Sequence, residues 1–139
     1  MENIEENKKI ILTKIQQAHK NSNFSSLPYP KLVAVSKKQE DYKIELAIQS
    51  GQKIYGENRV QEAQERWQKR IESYNDIELR LIGPLQTNKV KQALNLFHII
   101  ETIDREKLAK EIFNNFNNQS KTKNFYIQIN TGSENQKSG

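Results

Sequence analysis

The sequence predicts an α/β fold of about five parallel strands in one domain, on three observations. Short apolar runs begin near residues 32, 53, 79, 98 and 125. Each of the first four is followed by apolar residues at helical spacing, the rhythm that right-handed crossovers turn into a parallel sheet. The length, 139 residues, suits a single domain with room for a core. No Gly-rich phosphate loop follows any strand, so a doubly wound nucleotide-binding sheet has little support. Five strands cannot close a (β/α)8 barrel.

Taken in order, residues 2–20 place Ile4, Ile10, Ile11, Ile15 and Ala18 at roughly helical spacing and predict an amphipathic helix. The Asn/Ser/Pro-rich segment 21–30 ends it and leads into Leu32-Val33-Ala34-Val35-Ser36-Lys37, read as a buried strand. Ile44, Ala47 and Ile48 mark the next helical face, which Gly51 closes at its C′ position. A short strand at Lys53-Ile54-Tyr55 runs into Gly56-Glu57-Asn58, and Val60, Ala63, Trp67 and Ile71 form one stripe of a helix with Trp67 in the core.

Leu79 to Ile82 reads as the third strand, broken by Gly83-Pro84. Thr87 is a candidate cap for a helix bearing Val90, Ala93 and Leu94. His98 to Glu101 is the fourth strand, and Asp104 is a candidate N-cap for a helix burying Leu108, Ile112 and Phe116. The fifth strand runs from Phe125 to Asn130, ahead of a polar, turn-rich tail from Thr131 to Gly139.

Composition narrows the chemistry. With no cysteine there is no disulfide, thiolate metal site or cysteine nucleophile, and His19 and His98 lack metal-ligand spacing. The net charge of +5 could attract nucleic acid, but basic and acidic residues are interspersed, which favours solvated surface over a nucleic-acid stripe. No apolar stretch approaches a membrane span, and the acidic, polar segment Met1 to Lys9 is unlike a targeting peptide. These features predict a cytoplasmic protein that binds neither membrane nor nucleic acid.

Parallel folds collect functional groups at the carboxyl ends of their strands. Here those ends hold Ser36-Lys37, Gly56-Glu57-Asn58, Gly83-Pro84-Leu85-Gln86, Thr102-Asp104 and Gln128-Asn130-Thr131: amides, hydroxyls and one lysine, without metal ligands, paired carboxylates or a Ser-His-Asp set. Alternation puts Val33, Val35 and Lys37 on one face of the first strand. An amine in partly apolar surroundings can form a Schiff base; the other reading of Lys37 is a strand-end lysine snorkelling to solvent. On the last strand Tyr126, Gln128 and Asn130 share one face, and Phe125, Ile127 and Ile129 the other. That polar stripe lines either a wet cavity or a solvent-exposed edge.

Four blocks in order carry a family resemblance. They are Ala34-Val35-Ser36-Lys37, then Gly56-Glu57-Asn58-Arg59-Val60-Gln61-Glu62, then Ile82-Gly83-Pro84-Leu85-Gln86-Thr87-Asn88-Lys89, and last Ile127-Gln128-Ile129-Asn130-Thr131 with Glu134, Lys137, Ser138 and Gly139. Together they resemble the N-terminal part of the pyridoxal phosphate homeostasis protein family, which has the alanine racemase N-terminal-type barrel. The resemblance implies an incomplete (β/α)8 TIM-type barrel of about five parallel strands. Its single truncated cofactor-binding domain would comprise a helix and connection over residues 1–30 and βα units over 31–139.

It also implies a carrier of pyridoxal 5′-phosphate (PLP) in intracellular PLP homeostasis, not an enzyme, since no second acid/base group is supplied for racemase-like work. Lys37 matches the Schiff-base lysine, Asn58 a residue close to the cofactor, and Gln128 and Asn130 polar positions facing the barrel interior. Lys38 is implied to be an exposed neighbour without a role. Pro84 stands where many members have histidine, a departure that puts that histidine's hydrogen bond in doubt.

Family members continue beyond the Lys-Ser-Gly block, and their continuation supplies the last strands, the phosphate cup and an arginine near the pyridine nitrogen. The expectation is therefore either a chain completed by a C-terminal fragment supplied in trans, in a family typically monomeric, or a non-functional fragment of an interrupted gene that no longer binds PLP.

Overall fold

The computed structural model describes residues 3–139. Met1 and Glu2, which begin the expected acidic segment and first helix, lie outside the described residues. Five parallel strands form one sheet in the order β1-β2-β3-β4-β5, namely β1 (Ala34–Val35), β2 (Ile54–Glu57), β3 (Glu78–Leu81), β4 (Ile99–Ile103) and β5 (Asn124–Ile127). The helices are α1 (Ile4–Lys20), α2 (Asp41–Gln49), α3 (Val60–Ser73), α4 (Val90–Leu96) and α5 (Glu106–Asn115). Consecutive strands are neighbours, and α2 to α5 provide the four crossovers, so the fold is the expected incomplete barrel of βα units.

Register divides the sheet into two faces. Glu57, Leu81, Ile100 and Phe125 stand side by side in one row, as do Ala34, Tyr55 and Leu79. These rows meet the helices, where Trp67, Leu94 and Leu108 are buried with them in one core. Val60, Ala63, Trp67 and Ile71 are all buried, as their spacing predicts. Trp67 stacks obliquely on Tyr55 with ring centroids 4.5 Å apart. The opposite, concave face carries Val35, Gly56, Arg80, Ile99 and Asn124 at one level. There Arg80 hydrogen-bonds Glu78 at 2.7 Å and Glu101 at 2.9 Å. Burial would lower its pKa, but these two carboxylates outweigh it and hold the guanidinium above its ordinary value.

Gly51 closes α2 as expected. Its φ of +77° lets its N–H reach Ile48 O while Gln52 N–H reaches Ala47 O, the paired bonds of a Schellman motif.

Several local expectations are corrected. The first strand pairs only at Ala34–Val35, as the edge of the sheet; Val35 is 48% exposed, so the strand is not buried on both faces. Thr87 does not cap a helix by its side chain: it opens a 3₁₀ turn, Thr87–Lys89, that winds into α4. The N-cap of α5 is Arg105, not Asp104, because Asp104 holds the Arg105 guanidinium at 2.6 Å instead. Phe116 terminates α5 half-exposed, edge-on to Phe125, rather than lying in its buried face. The regular part of β5 stops at Ile127, and Ile127 and Ile129 are 76% and 73% exposed, since no described helix covers that face. On α1, Ile10 and Ile11 are also largely exposed.

No helix among the described residues is long and apolar enough to cross a membrane.

Candidate functional site: the carboxyl rim of the sheet

Lys37 follows β1 in a two-residue turn with Lys38, whose φ of +59° reverses the chain so that Gln39 N–H returns to Ser36 O. Lys38 thus shapes the backbone, a part that its sequence context does not disclose. Lys37 itself is exposed rather than set in apolar surroundings, and its amine makes no hydrogen bond or ion pair among the described residues.

What fixes the position of Lys37 is the residue before it. Ser36 N–H bonds Gly56 O at 3.1 Å, extending the β1–β2 ladder. On the helix side, Ser36 Oγ donates to Glu57 Oε1 at 2.6 Å, and Trp67 Nε1 donates to the same oxygen at 3.1 Å. Arg66 Nη1 reaches both Glu57 oxygens, at 3.0 and 3.2 Å. Glu57 is fully buried, and these three donors replace the water it has lost. Ser36 thus anchors the backbone from which Lys37 turns away from β1, while Val35 stands on the concave side of the sheet. That side is close-packed beneath it: a Cβ on Gly56 would come within 2.7 Å of Ile82 and 3.1 Å of Val33.

Asn58 follows β2 half-buried, and its backbone is pressed by Gly83, where any Cβ would sit 2.2 Å from Asn58 O. Thr102 Oγ1 in turn donates to Gly83 O at 2.8 Å, so the ends of β2, β3 and β4 are braced in series. Above them opens a cleft of about 710 Å³, whose lining includes Asn58, Arg59, Pro84, Gln86, Lys89 and Arg105, with Ser138 from the tail.

Gln128 and Asn130 lie elsewhere. Gln128 Nε2 donates to Ser138 O at 2.9 Å, while Asn130 Nδ2 donates to Glu134 O at 2.9 Å and Lys137 O at 3.2 Å. Both amides fold the tail back on β5 and border a separate hollow of about 270 Å³. Asn58 lines the cleft, Lys37 lines neither space, and only Ser138 touches both. Sequence reasoning gave no role to Glu57, although it stands in the quoted Gly-Glu-Asn block, or to the cations Arg59, Lys89 and Arg105.

No family model matches the chain. Over 139 residues it is 42% identical to the pyridoxal phosphate homeostasis protein of Buchnera aphidicola subsp. Schizaphis graminum, covering all of this chain and 60% of that protein. Over 137 residues it is 37% identical to the Haemophilus influenzae protein of the same name, covering 99% of this chain and 57% of that one. The chain is similar, over its whole length, to pyridoxal phosphate homeostasis proteins. It spans about 60% of the length of these relatives, corresponding to their N-terminal part.

Solved structures agree. PipY of Synechococcus elongatus, determined with PLP bound, superposes with a TM-score of 0.56 at 34% identity, over 70% of this chain and 44% of PipY. A protein from Bifidobacterium adolescentis described as unknown superposes with a TM-score of 0.67 at 27% identity, over 78% of this chain and 47% of its own.

Proposed function

We propose that this chain binds pyridoxal 5′-phosphate and serves its homeostasis inside the cell, with Lys37 as the point of covalent attachment. The observation that carries the reading is the Ser36–Glu57–Trp67 clamp, which holds the lysine at the end of β1 with its amine uncommitted. The residues present suit the ring and aldehyde of the cofactor. A free primary amine suits the aldehyde, and the close-packed Val33, Gly56 and Ile82 floor suits a flat, weakly polar ring. Asn58 on the neighbouring strand offers an amide that can donate or accept.

When bound, pyridoxal phosphate supplies an aldehyde that condenses reversibly with amines, and an electron sink. The chain's own contribution is positional: Ser36 and Glu57 hold the backbone just before Lys37, and Gly83 and Thr102 set the depth of Asn58. Gln128 and Asn130 enter the reading as the residues that fold the tail toward the rim. The carboxyl-end side chains are chiefly amides and hydroxyls, which supports a carrier over a catalyst.

Adding pyridoxal phosphate to the chain should give a Schiff-base absorbance band and, after borohydride reduction, one stable adduct mapped to Lys37. Lys37→Ala should lose both while keeping its melting temperature. Equal labelling of the variant would refute the assignment.

The reading extends to a partner. The exposed outer side chains Ile127 and Ile129 suit a further strand–helix segment, here a C-terminal fragment supplied in trans. Mixing the chain with the corresponding C-terminal part of the Buchnera protein should then raise the stability of the chain and the yield of adduct. No change in either would argue against it.

A further inference from the structure

We propose that the cleft at the carboxyl ends of β2, β3 and β4 binds a small phosphate monoester, separately from any cofactor carried on Lys37. Its volume of about 710 Å³ suits a small molecule, and its lining sets three cationic side chains, Arg59, Lys89 and Arg105, against one carboxylate, Asp104. That carboxylate is already committed: it is 9% exposed and bonded to Arg105 Nη1 at 2.6 Å. Arg105 Nη2 also donates to Leu85 O at 2.9 Å, which fixes the guanidinium at the wall of the cleft.

The other donors are uncommitted or weakly held. Lys89 Nζ makes no ion pair or hydrogen bond among the described residues, and neither does the half-buried Asn58 amide. Among the described residues Arg59 pairs only with Glu62, at 3.1 Å and in solvent, an arrangement a stronger anion can displace. The cleft therefore offers guanidinium, ammonium and amide donors converging from three turns. A phosphate monoester, with two charges and three peripheral oxygens, satisfies such a set better than a carboxylate does.

The phosphate could belong to a separate molecule or to a cofactor attached at Lys37, and the test separates the two. Phenyl phosphate, which has no aldehyde, is titrated calorimetrically into four proteins: the 139-residue chain, Lys37→Ala, chain already reduced onto pyridoxal phosphate, and the double variant Arg59→Gln/Lys89→Gln. One saturable site of equal affinity is expected in the first three. At least about tenfold weaker binding is expected in the double variant, the scale of losing charge-assisted hydrogen bonds. Both substituted side chains reach solvent, so a thermal melt should show that variant folded.

No saturation in the unmodified chain overturns the proposal, as does undiminished binding by the folded double variant. Binding abolished by prior loading of Lys37 also overturns it, since the cofactor's own phosphate would then fill the cleft. If Lys37 takes up no cofactor, the reading of the preceding section fails while the unloaded arms still decide this one.

Discussion

Ser36 Oγ and Glu57 Oε1 lie 2.6 Å apart, joining the residue before Lys37 to the last residue of β2 through a fully buried carboxylate. Two residues of α3, Arg66 and Trp67, complete the shell. The bond thus connects three elements at the level where the candidate lysine emerges.

This arrangement makes Glu57 a large contributor to stability. Removing the carboxylate leaves Arg66 partly buried without its counter-ion, Trp67 Nε1 with only Ser36 Oγ at 3.2 Å, and Ser36 Oγ with only the long bond to Gly56 O at 3.5 Å. Glu57→Ala should cost about 3–5 kcal/mol, in the range for breaking a buried pair from one side. Ser36→Ala, which leaves Arg66 and Trp67 to satisfy Glu57, should cost about 1 kcal/mol. Urea denaturation of both singles and the double should show strong coupling; additive losses would mean that the two residues act independently.

Gly83 is irreplaceable on steric grounds. A methyl group there would lie 2.2 Å from Asn58 O and 2.6 Å from Asn58 Cα, both backbone atoms that cannot step aside. Gly83→Ala should destabilise the chain by about 1–3 kcal/mol and displace Asn58, visible as shifted amide resonances along residues 56–59. Gly132→Ala is the control. Its added carbon would meet only the Glu134 side chain, at 3.3 Å, so a change within about 0.5 kcal/mol is expected.

The sequence announced what depends on local periodicity and left unsaid what depends on convergence. Helical spacing identified Val60, Ala63, Trp67 and Ile71 as one buried stripe because a sheet stands ready to cover it. Strand alternation expects Phe125, Ile127 and Ile129 on one face, but it says nothing of whether anything lies over it, and Ile127 and Ile129 are largely exposed. Capping signals at Thr87 and Asp104 failed for a local reason: a 3₁₀ turn took the first, and the adjacent Arg105 took the second. The cleft was illegible because Arg59, Lys89 and Arg105 belong to three different turns. Only the parallel order of β2, β3 and β4 brings them together.

The outer face of β5 invites self-association. Ile127 ends β5, the unpaired edge strand, and Ile129 follows it, 76% and 73% exposed. Ile127→Lys/Ile129→Lys should leave the unfolding free energy of the isolated chain within about 0.5 kcal/mol per site, since so little of either side chain is buried. The concentration dependence of sedimentation should fall at the same time. A large loss of stability would show these isoleucines packed in solution.

Stability should also decline as the pH falls through the histidine range, and His98 is the cause. Its Nδ1 accepts the Leu79 N–H at 2.9 Å, so the ring bridges β4 to β3 only while that nitrogen is unprotonated. Burial, followed by the positive charge of Lys121, lowers its pKa below the ordinary 6.5, against a smaller opposing pull from Glu78. The sign follows from proton counting. Above pH 6.5 neither folded nor unfolded His98 is protonated and nothing is lost; below it the unfolded chain binds a proton that the folded chain resists. Stability therefore falls from about pH 6.5 down to the depressed folded value, and once the folded ring is protonated the loss levels off. The loss of the acceptor for Leu79 N–H on protonation is one part of that resistance, not a further loss. His98→Asn keeps an acceptor but cannot titrate in this range, so its melting temperature should change less between pH 7 and pH 5 than that of the unmodified chain. Parallel profiles for the two proteins would remove His98 as the source.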